Sequence, residues 1–394
     1  MQKKRINPIV QWWVTPKLPY HDIFELPLLI DKSHLAKYKH ISSQWLIHPV
    51  KRRLARWYLK LLQMTTDIKV IGITGSAGKT TTKEMLFSIL KSKGKTVCTT
   101  TYIDPVYNIP NTILSTPFGT KYLVLEMGVE FPGEMDYYLW LAKPDAALVT
   151  NIFPAHTEFL GNIEGVLKEK SKLPMAIPSG GAVILNAGDR NLVNLSKKIP
   201  SGITISWFEN DLNPFIQNAN AARAAAKVFG ASPAEIKKGL ASYANPPHRL
   251  EIIKHPSGAT ILDDSYNSNP WAAITTLNYF NDLVRKSRKK DVKKIAVLGD
   301  MLELGKFNEE GHRLLGRLVA KSGFTAVIGV GKSTSFILDE VKLKSKKTET
   351  YSFSDPFAAL PIVRSYLDKN SFILVKGSRS IGLDKIVDKL SRLR

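Results

Sequence analysis

A chain of 394 residues that is 44% hydrophobic and 23% charged is too long for one ordinary core and too apolar for a disordered segment, so two or three folded domains are expected. The single cysteine, Cys98, excludes an internal disulfide framework and fits a reducing compartment, which makes the cytoplasm the expected location. Lysine and arginine outnumber aspartate and glutamate by 56 to 34, and the resulting +22 points to an anionic partner: nucleic acid, a membrane surface or a phosphorylated substrate.

The start, MQKKRINPIVQWWV, is basic, but Asn7, Pro8 and Gln11 break its apolar run, so neither an export signal nor a membrane span is expected. Residues 1–66 form a basic, aromatic-rich head with 12 Lys or Arg against 3 Asp or Glu, and with Trp12, Trp13, Trp45 and Trp57. Within it, Val50, Leu54, Trp57, Tyr58, Leu61 and Leu62 share one face of a helix, with Lys51, Arg52, Arg53, Arg56 and Lys60 mostly elsewhere. That apolar face is expected to pack on the next domain and the charged face to meet water. Peripheral contact of residues 1–66 with the inner face of a membrane is the competing reading.

From Ile68 the pattern changes. The apolar runs IKVIGIT, YLVLEMG, DAALVTNI and GAVILN alternate with helical stretches, as in a parallel sheet flanked by helices, and this region is expected to span 67–245. After an alanine-rich helix at Ala219–Phe229 and the segment PPHR, a second alternation runs through ATILDDS, KIAVLGD, TAVIGVG and SFILVKG, giving a second α/β domain over 246–394.

The strongest local signal is Gly72–Thr82, GITGSAGKTTT, between the first apolar strand and the following helix. The backbone N–H groups of Gly75, Ser76, Ala77, Gly78 and Lys79 would cradle phosphate at the helix N-terminus, with Thr81 beside them. Lys79 would neutralise developing charge and the Thr80 hydroxyl would bind Mg²⁺, so ATP is the implied cofactor. Ile73 stands where the strict pattern has its first glycine, and a glycine turn that merely precedes Lys-Thr is the competing account.

This loop continues as TGSAGKTTTKEML. After it come LEMG at Leu125–Gly128, VTNIFPAHTEFLG at Val149–Gly161, EGVLKEKSKL at Glu164–Leu173, DDSYNSNP at Asp263–Pro270, GDMLELG at Gly299–Gly305 and VKGSRS at Val375–Ser380. In this order and spacing the chain resembles the Mur ligases from about residue 68 to its C-terminus, and the last three motifs are similar to the branch that adds D-alanyl-D-alanine. The resemblance implies an α/β fold with a central P-loop ATPase-like domain and a C-terminal Rossmann-like domain that closes on it.

It also implies a reaction. ATP and Mg²⁺ phosphorylate a substrate carboxylate, and an amine attacks the acyl phosphate to give an amide, ADP and phosphate. In the matching positions Glu126 and His156 join Thr80 as Mg²⁺ ligands, Arg249 contacts ATP phosphate, and Asn151, Asn220 and Asp264 belong to the nucleotide site. Lys170 matches a carbamylated lysine that organises the metals, with Lys168 and Lys172 as near alternatives. Lys376, Ser378 and Arg379 are expected to recognise a carboxylate on the incoming amine. For Arg249 and Asp264 a structural ion pair is the competing reading, for His156 an incidental loop position, and for Lys376–Arg379 a helix-entry turn.

Two stretches depart from the family pattern. Ile216 and Gln217 replace the His and Asn that precede Asn220, and Asp104, Pro105 and Asn108 in TTYIDPVYNIPNTIL replace the usual Asn, Asn and Gly. The head is also shorter than the separate domain that holds the UDP-sugar end of the substrate. The expected partners are therefore a cell-wall precursor peptide, whether the UDP-muramoyl form or a modified or lipid-linked one, and an amino acid or dipeptide, acted on by a monomer, with an unrelated peptide acceptor as the alternative. A folyl- or poly-glutamate ligase on the same scaffold is the rival enzyme. A basic nucleic-acid-binding ATPase is the rival from another class, although no nucleic-acid module is readable and no nucleic acid is expected.

Overall fold

The computed structural model describes Thr15, residues 47–101 and residues 103–391, so the expectations for Trp12, Trp13 and Trp45 lie outside the described residues. Two compact units are formed, each from separated stretches of chain. Of the described residues, the first takes those up to Ile152 together with Leu167–Glu209 and Ala219–Tyr243, and the second takes Phe153–Val166, Asn210–Asn218 and those from Ala244 onward.

The first unit is built on six strands: β1 Lys69–Thr74, β2 Thr96–Cys98, β3 Tyr122–Glu126, β4 Ala146–Val149, β5 Ala182–Asn186 and β6 Thr204–Phe208. They are all parallel, in the order β2-β3-β1-β4-β5-β6. The near-continuous apolar runs follow from this arrangement, because strands covered by helices on both faces bury every side chain rather than alternate ones. Strand β1 sits between β3 and β4, so the chain departs to opposite sides of it. That reversal leaves a crevice at the carboxyl ends of the strands, where ligands bind in open α/β sheets.

The second unit carries β7 Glu251–Lys254, β8 Thr260–Asp264, β9 Lys293–Gly299, β10 Ala326–Val330, β11 Glu349–Phe353 and β12 Ser371–Lys376, in the order β11-β10-β9-β12-β8-β7. Only β7 runs antiparallel, as an edge hairpin with β8. Alternation along β12 divides the core: Phe372 and Leu374 join Leu277, Phe280 and Leu298 on one face, and Ile373 and Val375 join Ile328, Val363 and Ile386 on the other.

The helix His48–Thr65 forms as expected but faces the other way. Its buried residues are His48, Pro49, Arg52, Ala55, Leu59 and Leu62, packed against the helices Pro105–Leu114 and Glu134–Leu141, while Val50, Leu54 and Trp57 are exposed. Distant polar partners explain the choice. Arg52 Nη2 donates to the Thr15 carbonyl at 3.2 Å and its guanidinium lies 6.0 Å from the Tyr137 ring centre, while His48 Nε2 lies 3.3 Å from the Val106 carbonyl. Burial draws the Arg52 pKa down to about 10, still far above neutrality, so a cation lies under this helix.

The helix that follows β1, Lys79–Leu90, is fixed by direct backbone contact. A Cβ on Gly239, in the helix Pro233–Ala241, would lie 2.4 Å from Ile89 Cα and 2.8 Å from Ile89 N, and Ser88 Oγ donates to the Gly239 carbonyl at 2.7 Å. Neither backbone can move away without tilting a helix. The substitution Gly239→Ala is expected to cost about 2–3 kcal/mol and to lower the melting temperature by about 5–10 °C in a thermal scan of the full chain.

Candidate active site

Strand β1 ends at the buried Thr74, and the chain turns at Gly75 with φ 144° and again at Gly78 with φ 78°, the residue that precedes the helix Lys79–Leu90. A side chain at Gly75 is impossible in this turn, since its Cβ would lie 1.9 Å from Thr150 Oγ1. Thr150 and Asn151 follow the neighbouring strand β4 and hold the loop. Thr150 Oγ1 donates to the Ala77 carbonyl at 2.6 Å, Ala77 N–H donates to Asn151 Oδ1 at 2.8 Å, and Ser76 N–H donates to the Asn151 carbonyl at 3.0 Å. Asn151 thus shapes the loop, and the amides of Ser76 and Ala77 are engaged in that task. The amides of the first helical turn, which begins at Lys79 and includes Thr80 and Thr81, point out of the helix end where an anion would meet them.

Lys79 curls back so that Nζ donates to the Gly75 carbonyl at 3.0 Å. Its stem passes Gly128, where a Cβ would sit 3.2 Å from Lys79 Cε. Thr80 Oγ1 donates to Glu126 Oε1 at 2.9 Å, because Glu126 ends β3 and pairs in register with Ile73 of β1. A hydroxyl and a carboxylate oxygen side by side are the hard donors that Mg²⁺ selects, and the fit supports that ion. Lys83, one turn beyond Lys79 and absent from the sequence expectations, is fully buried. Its Nζ lies 2.8 Å from Glu84, 3.9 Å from Glu126 and 2.5 Å from the Thr99 carbonyl, which limits the positions the Glu126 carboxylate can take.

Lys170 lies within the helix Ile163–Met175, fully buried, and its Nζ has no hydrogen-bond partner among the described residues. Burial, followed by the nearby Lys79, pushes its pKa well below the usual lysine range, against the pull of Glu134, Glu130 and Glu169. Two of these acids serve the backbone: Glu134 accepts from the amides of Glu130 and Phe131, and Glu169 from those of Gly133 and Met135. Lys172 differs from Lys170 in both respects, being partly exposed and paired with Asp136 at 2.7 Å and Glu169 at 2.6 Å. Asn220 donates to the Glu209 carbonyl at 3.3 Å and accepts from Arg223 at 3.1 Å.

In the second unit His156 adopts φ 53°, and its Nδ1 lies 2.6 Å from Glu303 Oε2 in the GDMLELG loop. That bond holds the Glu303 carboxyl below its usual range. Carboxylates that bind one nitrogen of a histidine commonly aim the other at a metal, and Glu303 has the position for that task. No local pattern in the sequence singles it out.

Arg249 sits in a strained turn, with His248 at φ 62° and Leu250 at φ 51°. His248 Nδ1 pairs with the fully buried Asp263 at 2.7 Å, Asn245 Nδ2 donates to the Arg249 carbonyl, and the Leu250 amide donates to Asp264 Oδ1 at 3.2 Å. The Arg249 guanidinium lies 4.0 Å from the Tyr266 ring centre and that of Arg379 lies 5.3 Å from it. Asp264 and Lys376, expected at the ribose and at the amine substrate, are each other's partners. Lys376 Nζ lies 2.6 Å from Asp264 Oδ2, which also accepts from Thr276 Oγ1 at 2.7 Å. Ser378 Oγ accepts from the Leu302 amide at 2.9 Å, and Arg379 donates to Asp384 at 2.6 Å.

Residues 73–236 match the Mur ligase middle domain and residues 248–379 match the Mur ligase, glutamate ligase domain. Over 368 residues the chain is 32% identical to the UDP-N-acetylmuramoyl-tripeptide--D-alanyl-D-alanine ligase of Bacillus subtilis, an alignment that covers 86% of this chain and 78% of that protein. A crystal structure of MurF from Acinetobacter baumannii superimposes with a TM-score of 0.75 at 26% identity, covering 87% of this chain and 80% of the other. The MurF ligase from Thermotoga maritima in complex with ADP gives 0.74 at 25% identity, covering 88% and 83%.

Two outcomes follow from this geometry. The substitution Gly75→Ala is expected to weaken ADP binding about a hundredfold or more by calorimetry. Adding Thr150→Ala to it recovers only part of the loss, because the φ of 144° remains unfavourable for any Cβ. The second concerns pH. The hydrogen bond with Asp263 raises the His248 pKa against the effect of burial, with Asp388 and Asp384 adding to the rise, and Glu251 accepts from the His248 amide. A raised folded value means that the stabilisation is fully present below the ordinary histidine value of 6.5 and is lost as pH climbs through the raised one. In His248→Asn, chosen because asparagine tolerates positive φ, the melting temperature should fall furthest below that of the parent near about pH 6, and the gap should close towards about pH 9.

Proposed function

Because this chain belongs to the Mur ligase family and is an ATP-dependent, ADP-forming ligase, we propose that it adds D-alanyl-D-alanine, or a similar amino compound, to the peptide carboxylate of a peptidoglycan-type cell-wall precursor. The observation that carries the chemistry is the first unit's phosphate turn, with Thr80 against Glu126 at its helix end and a buried, unpaired Lys170 in the same unit.

The substrate carboxylate is a poor acyl donor until one oxygen is phosphorylated. Its attack on the terminal phosphorus of ATP releases ADP and leaves an acyl phosphate. A neutral amine then adds to the carbonyl carbon, and the tetrahedral intermediate expels phosphate as the amide forms. Lys79, the helix-end amides and Arg249 neutralise negative charge on the transferred phosphoryl group, and the enzyme supplies no nucleophile of its own. Thr80, Glu126 and His156 would hold Mg²⁺, which screens the phosphates when bound.

Lys170 fits the modification that the family resemblance implies. Burial favours the neutral, nucleophilic form of a lysine, whose amine adds CO₂ to give a carbamate with loss of one proton. The carbamate is an anion that Lys79, whose charge opposes a cation at Lys170, would attract, and this supports the reading. Asn220 and Asp264 near the nucleotide, and Lys376, Ser378 and Arg379 near the incoming carboxylate, complete the proposed assignment in a monomeric enzyme.

The test is direct. Full-length protein with ATP, Mg²⁺, a UDP-muramoyl tripeptide and D-alanyl-D-alanine should give the mass of the joined product and one ADP per amide. Amide without matching ADP would overturn the scheme, joining of glutamate in place of D-alanyl-D-alanine would favour the glutamate-ligase reading, and ATP turnover raised only by DNA or RNA would favour the nucleic-acid ATPase. Lys170→Ala should lower kcat by about a hundredfold or more, and the parent should carry the mass of one CO₂ in native spectra under added bicarbonate.

A further inference from the structure

The helix His48–Thr65 carries two apolar faces, and only one of them is packed against the rest of the described residues. The buried face packs within the first unit. On the opposite side Ile47, Val50, Leu54, Trp57, Leu61 and Met64, alternating three and four residues apart, form a continuous stripe; Leu54 is 53% exposed, Trp57 65% and Met64 84%. Scattered exposed apolar residues need no explanation, but five of them and the half-buried Leu61 in helical register along one segment do.

Charge decides what this face meets. The helix holds five Lys or Arg and no Asp or Glu. Lys51 flanks the stripe on one edge, and Arg53 and Lys60 flank it on the other, with Arg56 behind them stacked 4.6 Å from the Trp140 ring centre. An apolar strip with a cationic border on both sides, carrying a tryptophan at its middle, matches an anionic phospholipid surface. The apolar side chains reach the acyl boundary while the cations stay level with the headgroup phosphates. We propose that this face of the helix docks the protein on an anionic phospholipid membrane. Because the other face already fixes the helix in the folded unit, membrane binding requires no folding step, unlike that of a free amphipathic peptide. No helix among the described residues is long and apolar enough to cross a bilayer, so the contact is peripheral.

The test uses the full-length chain with vesicles of phosphatidylcholine alone and of phosphatidylcholine with phosphatidylglycerol. The expected result is co-sedimentation with the anionic vesicles, weakened by salt, and reduced about tenfold or more both by Leu54→Glu with Trp57→Glu and by Lys51→Glu with Lys60→Glu. Circular dichroism and ligase activity on soluble substrate should be unchanged in these variants, which separates failure of docking from failure of the enzyme reading. Three results would each overturn the proposal: no sedimentation with anionic vesicles, sedimentation indifferent to both pairs of substitutions, or a lipid-free dimer that Leu54→Glu with Trp57→Glu dissolves. The last would make the stripe an interface between two copies of the chain.

Discussion

At Gly75 the backbone of one parallel strand runs against Thr150 of the next with no space for a side chain, and the first unit's chemistry is arranged around that close approach. Strands β3, β1 and β4 are adjacent and point the same way, so their carboxyl ends arrive together. From β1 comes the phosphate turn, from β4 come Thr150 and Asn151 to clasp it, and from β3 comes Glu126 to meet Thr80. An antiparallel neighbour would send one of these groups to the far end of the sheet. The parallel order is thus a condition for assembling the turn, as well as a way of burying apolar strands.

Three buried lysines show how the same residue type is put to different uses. Lys83 is paired with Glu84 and close to Glu126, and so restrains a carboxylate. Lys376 is paired with Asp264 and bonds the Asn267 carbonyl, which ties the end of β12 to the segment after β8. Lys170 has no such partner among the described residues, and burial outweighs the pull of Glu134, Glu130 and Glu169 on it. A buried charge left unpaired costs several kcal/mol, so the protein either neutralises it or changes its chemistry. The contrast between Lys170 and its paired counterparts is a stronger indication of reactivity than burial taken alone.

Much of this was legible in the sequence, for identifiable reasons. Runs such as IKVIGIT and SFILVKG announce covered parallel strands, and GITGSAGKTTT lies between strand and helix where a phosphate turn belongs. What escaped depends on contacts between distant residues. The helix His48–Thr65 offers two stripes at helical spacing, and hydrophobicity favours the one that is exposed. The stripe that is buried contains His48 and Arg52, and their partners, the carbonyls of Val106 and Thr15, lie 58 and 37 residues away. Glu303 is likewise 147 residues from His156, and Asp264 is 112 from Lys376, so no local periodicity announces either pair.

Both units turn on glycines of positive φ, but among the described residues only the second also places side chains at such positions. In the first, glycine takes the positive φ at positions 75, 78 and 133, where no Cβ has to be accommodated. In the second, His156, His248, Leu250 and Glu303 take positive φ despite their side chains, each at a cost of about 1–3 kcal/mol. Each of these residues is fastened by a hydrogen bond to an acidic residue or its backbone: His156 and Glu303 to one another, His248 to Asp263, and the Leu250 amide to Asp264. A glycine at 248 would relieve the strain but lose the imidazole that reaches Asp263, one of the bonds that hold the turn around Arg249. The strained residues thus flank Arg249 on both sides, each tied to an acid, and a backbone penalty accompanies a turn whose direction at Arg249 is fixed by several bonds.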